Sequence, residues 1–403
     1  MNKQLILGIL AMASLGAVAQ EKPDSTEKKD STGFTFTDVR VVESTPVRDQ
    51  NKSGTCWCFA GTTFFEDEII RKGGKPVDLS EMYTVRQCYA DKADRYVRMD
   101  GKTNFSQGGS ILDVPYVWKR YGAVPEEAYR GLSYGEDNHN HAELEAGMKG
   151  YLDAVRRNPG RRLSTSWGTA LNGILDAYLG DVPETFEVDG KTYTPQSYAA
   201  SLGINPDDYI PVTSFTHHPY YSAFAVEVPD NWLWADYYNV PLDDLKAIVD
   251  NAVENGYPLV WAADVSEQGF KWKKGVALMP AAKNEADMEG TELSRWVKLS
   301  ETEKNNARYD FEGPVDEIEV TPESRQAMFD RRETTDDHGM EIVGYATDQN
   351  GKRYYKVRNS WTDNQIYGGY LYVSEPYFLA KTLDILVHRD AIPKAIAKKM
   401  NLR

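Results

Sequence analysis

Between Cys56 and Arg71 the chain reads CWCFAGTTFFEDEIIR. Phe59, Thr63, Glu66 and Ile70 recur at helical spacing, and Gly73-Gly74 supplies a stop, so a helix is predicted to begin at Cys56. A second helical pattern covers Asn138–Asp176, where Leu144, Met148, Leu152 and Val155 repeat every three or four residues. Tyr257–Val265 is apolar at nearly every position, as in a buried strand. Met340–Ala346 and Arg353–Val357 flank Gln349-Asn350-Gly351 and predict a β-hairpin. Asp189-Gly190 within Glu187–Thr194 predicts another. Ala281–Thr321 is acidic and poor in aliphatic residues, which predicts a surface excursion. No internal repeat is visible.

The N-terminus has a different pattern. Leu5–Leu15 is apolar, broken only by small residues, and it is followed by Ala17-Val18-Ala19. This predicts a signal peptide over residues 1–19, cleaved after Ala19. The run is too short for a comfortable membrane span, so stable membrane insertion is not expected. Residues 20–33 read as a flexible polar spacer. Residues 34–403 then form one domain, with insertions at about 138–210 and 281–321. The pattern predicts export to a periplasm or beyond. The 403 residues carry 61 acidic and 46 basic side chains, a net charge of −15. No Lys/Arg run is long enough to track a phosphate backbone, which excludes nucleic acid as a partner.

The chain has three cysteines, an odd count that leaves at least one unpaired within the chain. Cys56-x-Cys58 is too tight for a zinc clip and is not the C-x-x-C of a redox pair. A thiol in the first turn of a helix, by contrast, lies among unpaired backbone N–H groups at the positive end of the dipole, and both favour the thiolate. Cys58 lies about 200° around the helix and reads as packing. Of six histidines, His338 stands at the start of the first hairpin strand, and Asn359 ends the second. Antiparallel pairing brings those ends together, so Asn359 can orient the imidazole as the third member of a nucleophile triad. Trp361 can shield that bond from water. Gln50, six residues before Cys56, can join the Cys56 backbone N–H in an oxyanion hole.

Gln50, the Cys56-Trp57 pair, the late Asp-His-Gly and Asn359-Ser360-Trp361 together resemble the papain-like cysteine peptidases. The resemblance implies an α+β fold: a helical N-terminal half carrying the nucleophile and an antiparallel-sheet C-terminal half. It implies Cys56 as nucleophile, His338 as base, Asn359 as orienting residue and Gln50 as oxyanion donor. Papain places its His about 130–150 residues after its Cys, whereas here the separation is 338 − 56 = 282. That excess is similar to the bleomycin hydrolase / aminopeptidase C branch, as are DLSEMYTVRQCYADK, YGAVPEEAY, HPYYSAFAVE and GYPLVWAADVSEQGF; the likeness runs from about Phe36 to Pro393. The branch implies aminopeptidase activity on peptides, a homohexamer and a C-terminal arm whose end carboxylate selects free N-termini. Only ten residues follow Pro393 here, and the signal peptide departs from the intracellular members. No metal or organic cofactor is implied.

In the papain-like pattern Gly108-Gly109 lines the cleft, where glycine lets a substrate backbone approach; an ordinary turn is the alternative. His139-x-His141 and His217-His218 lack a Cys or carboxylate at ligand spacing and read as structural. A Cys58–Cys88 disulfide is possible after export. A papain-type endopeptidase with an open cleft, or a catalytically idle scaffold on the same fold, are the alternatives to an aminopeptidase.

Overall fold

The apolar run that reads as a buried strand, Leu259–Ala263, is buried on both faces and lies inside the main sheet. The computed structural model describes residues 33–158, 160 and 162–402. The expected signal peptide and all of the spacer but Gly33 lie outside the described residues. In chain order the first strands are β1 (Thr37–Val41), β2 (Phe186–Val188), β3 (Lys191–Tyr193), β4 (Tyr209–Thr213), β5 (Ser222–Ala225) and β6 (Asp236–Asn239). There follow β7 (Leu259–Ala263), β8 (Phe270–Lys271), β9 (Val276–Ala277), β10 (His338–Thr347), β11 (Arg353–Arg358), β12 (Tyr370–Ser374) and β13 (Thr382–His388). Among the described residues, the sheet order is β5-β6-β4-β13-β7-β10-β11-β12-β9-β8, with β1 on β10 and β2-β3 a separate hairpin. Its pairs are antiparallel except β4/β6 and β9/β12.

Side-chain alternation along β7 divides the core. Val260 and Ala262 join the cluster around α1 (Cys56–Arg71), α2 (Glu81–Arg98) and α3 (Asp113–Tyr121). Leu259, Trp261 and Ala263 face the opposite cluster, with the helix Leu242–Glu254. Thirteen of the sixteen α1 residues are buried, so this helix is enclosed on all sides rather than amphipathic. It therefore carries polar residues that need internal partners. Arg358 at the end of β11 provides them: Nη2 donates to Asp67 Oδ2 at 2.9 Å and to Glu341, and Nη1 donates to the Thr45 carbonyl at 2.6 Å. Thr45 in turn donates its N–H to Asp67 and its hydroxyl to Glu66. This buried network ties the nucleophile helix to the β10-β11 hairpin.

The long helix expected over 138–176 is two, α4 (Ala142–Arg156) and α5 (Ser166–Leu179). The break follows from the sequence, because Pro159 disfavours the helical conformation at the residue before it and has no N–H to continue the ladder. Leu144, Met148 and Leu152 form the buried stripe of α4 as their spacing predicts. The Glu187–Thr194 hairpin is present, with Asp189 and Gly190 both at positive φ as a type I′ turn requires. Residues 281–321 carry two short helices, Gly290–Trp296 and Glu301–Arg308, on the surface. The C-terminal helix Lys394–Lys399 buries Ile396 and Met400 in the cluster on the far side of the sheet from α1. Residues up to 402 thus do not follow the arm that the resemblance implies.

Candidate active site

Cys56 is the first residue of α1 and partly exposed. The loop before it is held by side chains rather than by a cap, since Thr55 makes no capping bond. Ser53 Oγ shares a hydrogen bond with Thr55 Oγ1 (2.6 Å) and donates to the Gln50 carbonyl (2.8 Å). From a segment about fifty residues on, Gln107 accepts from the Gly54 N–H at 2.7 Å through Oε1, and its carbonyl accepts from Trp57 Nε1 at 3.0 Å. Gln107 therefore clamps the nucleophile loop from both sides. The sequence pattern gave no sign of this, because the contact spans about fifty residues.

His338 opens β10 and Asn359 follows β11, as the hairpin predicts. His338 Nε2 and Asn359 Oδ1 are 2.7 Å apart. Asn359 Oδ1 also accepts from the Ser360 backbone N–H at 2.7 Å, which fixes which amide atom is oxygen. Nε2 must then carry the proton, and Nδ1 is left as the basic nitrogen. The Trp361 ring packs against the imidazole at a tilt, with centroids 4.7 Å apart. Gly339 brings β10 close to the nucleophile helix: a Cβ there would lie 3.0 Å from Trp57 Cα and 3.2 Å from Trp57 N. Gln50 joins the same structure. Its backbone N–H donates to the Ser360 carbonyl (2.8 Å), Oε1 accepts from Ser360 Oγ (2.7 Å), and Nε2 donates to the Ser53 carbonyl (2.7 Å). One amide N–H of Gln50 is left over.

Cys56, His338, Gly339 and Gly109 line one cavity, together with Asp230, Asp336, Asp337 and Asp384. Burial pushes the Cys56 thiol up to about 12, and Asp336 and Asp230 add to the rise. The backbone N–H groups of Gly339 and Trp57 pull the other way. Burial also pulls His338 down to about 4, against its bond to Asn359 and the charge of Asp337. Burial therefore opposes the standing thiolate that the helix start favours. Helix-start N–H groups do favour the anion, but desolvation outweighs them. Burial thus disfavours the charged form of the thiol and of the imidazole alike.

The remaining candidates separate. Gly109 lines the cavity, whereas Gly108 makes room for a side chain: a Cβ there would lie 2.0 Å from Asp230 Oδ2. Cys58 and Cys88 are buried free thiols, and Cys58 Sγ donates to the Glu81 carbonyl at 3.2 Å, so they are not bonded to each other in this structure. His141 is buried against Tyr89 OH (3.0 Å), and burial holds both His139 and His141 uncharged. His217 and His218 meet a carboxylate that sequence spacing did not offer. Glu227 bonds both Nε2 atoms, at 3.1 and 2.9 Å, and the three side chains bring one ligand atom each within 4.8 Å of one another, close enough to hold a metal ion.

Comparison with known proteins matches residues 35–159 to the papain family of cysteine proteases and residues 283–403 to the peptidase C1-like family. Gln50 and Cys56 fall in the first match, His338 and Asn359 in the second. Aminopeptidase C of Lactobacillus delbrueckii is 22% identical, over 99% of this chain and 91% of its own length. Aminopeptidase C of Lactococcus lactis is 22% identical over 86% and 81%. Mitochondrial cysteine proteinase 1 of Saccharomyces cerevisiae is 21% identical over 90% and 79%. The crystal structure of PepW from Lactobacillus rhamnosis superposes with a TM-score of 0.68 at 19% identity, covering 93% of this chain and 87% of that one, which establishes the shared fold.

Proposed function

We propose that this chain, a cysteine peptidase of papain-like fold, acts as an aminopeptidase that releases N-terminal residues from peptides. The observation that carries the exopeptidase reading is the small cavity beside Cys56, about 20 Å³, with Asp230, Asp336, Asp337 and Asp384 among its lining residues. The relatives named aminopeptidase C, matched over most of the chain, support it.

In this reading His338 Nδ1 takes the Cys56 proton as Sγ bonds to the scissile carbonyl carbon. The carbonyl π-electrons move to oxygen, and that oxyanion is met by the Cys56 backbone N–H and the free N–H of Gln50. His338 then gives its proton to the leaving amine as the C–N bond breaks. A water deprotonated by His338 hydrolyses the thioester and restores the thiol. Asn359 keeps the imidazole turned with Nδ1 toward the sulfur throughout.

One observation favours an endopeptidase instead: Met400 packs behind the sheet, and among the described residues none after Asp384 lines the cavity. Two fluorogenic substrates separate the readings, one with a free α-amine and one N-acetylated, assayed beside Cys56→Ala. Hydrolysis of the free-amine substrate alone, lost in Cys56→Ala, is expected. Comparable hydrolysis of the acetylated substrate means an endopeptidase. We further propose that the enzyme works outside the cytoplasm, supported by the Leu5–Ala19 pattern. N-terminal sequencing of the secreted protein, expected to start at Gln20, tests this.

A further inference from the structure

Four aspartates line the cavity shared by Cys56 and His338, and no Lys or Arg does. Asp384 is the deepest. It sits on β13, is 4% exposed, and its Oδ1 has no hydrogen-bond partner. Its nearest cation by charge is Arg325, but that guanidinium is committed to backbone carbonyls, with Nε on Ser214, Nη1 on Leu379 and Nη2 on Thr382 at 2.5–2.8 Å. Asp336 adds a second, half-buried carboxylate that makes no hydrogen bond shown by the structure. Asp230 is held by Asn104 at 2.8 Å and, with Asp113, is offset by the charge of Lys92. Asp384 and Asp336 are therefore the cavity's uncompensated pair. Burying carboxylates without a counter-charge is costly, and such a cost points to a cation that arrives from outside.

We propose that Asp384 and Asp336 form a subsite for a compact primary ammonium of the substrate, seated beside the reacting carbonyl. Size selects the ammonium: about 20 Å³ holds one water-sized group, and a planar guanidinium is larger. Reach selects its source. The α-nitrogen of an amino acid lies about 2.5 Å from its own carbonyl carbon, the atom Cys56 attacks, so an N-terminal α-ammonium falls in a cavity that Cys56 itself lines. A lysine ε-ammonium has the same chemistry on a longer stem. Asp336 and Asp230 also hold the Cys56 thiol up. A bound ammonium favours the ionised form of carboxylates that burial otherwise keeps protonated and offsets their charge beside the thiol, which couples substrate recognition to the nucleophile. Asp384 and Asp336 supply here the selection that the family resemblance places on an end carboxylate.

This inference rests on the peptidase reading and deepens it. The test is the rate of Cys56 labelling, by intact mass spectrometry, with vinyl sulfone probes: free-amine norleucine, N-acetyl-norleucine, N-acetyl-lysine and N-acetyl-arginine. In the wild type an ammonium-bearing probe is expected to label at least tenfold faster than N-acetyl-norleucine, with N-acetyl-arginine gaining less than threefold. The advantage is expected to fall below twofold in Asp384→Asn, with Asp336→Asn as a second variant at a half-buried position. An advantage confined to N-acetyl-lysine upholds the subsite and overturns the aminopeptidase reading. An advantage that survives both variants, equal labelling by all probes, or an equal gain for arginine overturns the subsite. Failure of every probe to label Cys56 overturns the peptidase reading and the subsite with it.

Discussion

Replacing Asn359 by alanine isolates the orienting bond. Asn359 Oδ1 accepts from His338 Nε2 and from the Ser360 N–H, each at 2.7 Å. The two bonds contribute differently. The Ser360 N–H is buried, and leaving it unpaired costs about 1–3 kcal/mol of stability. Burial disfavours the imidazolium, and the His338 bond is charge-assisted whenever His338 carries the Cys56 proton. A hydrogen bond to a charged group contributes about 1.5–3 kcal/mol, so kcat/KM should fall roughly 10- to 150-fold. The assay measures kcat/KM on a free-amine substrate per active site, titrated with an irreversible thiol-directed inhibitor so that unfolded protein is not counted. Asn359→Asp keeps an acceptor and should recover part of the loss. A normalised kcat/KM for Asn359→Ala within twofold of wild type would refute the orienting role.

Three further outcomes are expected. Burial, with the charges of Asp230, Asp337 and Asp113, pushes Asp336 up to about 8, against about 3.9 when unfolded; the folded state holds the proton longer, so wild-type stability declines as pH rises from about 4 to about 8. Asp336→Asn should therefore raise Tm at pH 8 and leave it nearly unchanged at pH 4, and an equal gain at both would contradict the assignment. Arg358→Met strands Asp67 and Glu341 in the core, so urea melts at pH 7.5 should show a loss of about 3–5 kcal/mol. The loss should shrink at pH 5, where the stranded carboxylates protonate, and a loss under 1 kcal/mol at pH 7.5 would mean that the network is not what joins α1 to β10. Gly339→Ala forces a methyl against Trp57 Cα. Overpacking of this kind costs about 1–3 kcal/mol, and kcat/KM should fall at least tenfold because Cys56 and His338 are spread apart; unchanged kinetics would remove Gly339 from the positioning machinery.

What the chain discloses locally, it disclosed reliably. The β10-β11 hairpin follows from two β-prone runs around Asn350-Gly351, and that hairpin alone puts Asn359 beside His338. The first helix follows from its spacing and its glycine stop. Features that depend on distant segments were hidden. Gln107 looks like any polar loop residue until its amide meets Gly54. Asp336 and Asp384 read as ordinary acidic positions, because nothing nearby in sequence says that one lies in a cavity and the other on a strand covered on both faces. The burial that opposes the thiolate was hidden for the same reason: a helix start is local and legible, whereas desolvation is the sum of everything packed around it. Glu227 beneath His217 and His218 is a third case, supplied by a turn of chain rather than by spacing.

The placement of the pair has a consequence in time. Cys56 and His338 are separated by 338 − 56 = 282 residues, and β10 takes its place only between β7 and β11. At about 5–20 residues per second of synthesis, roughly 14–56 s pass between making the thiol and making the imidazole. Throughout that interval the ribosome holds a peptidase that cannot cut. A chain abandoned before β10 carries the nucleophile helix without its base, so premature termination yields an inert fragment rather than an unregulated protease. The order of translation thus works as a safety catch for the cell that makes the enzyme.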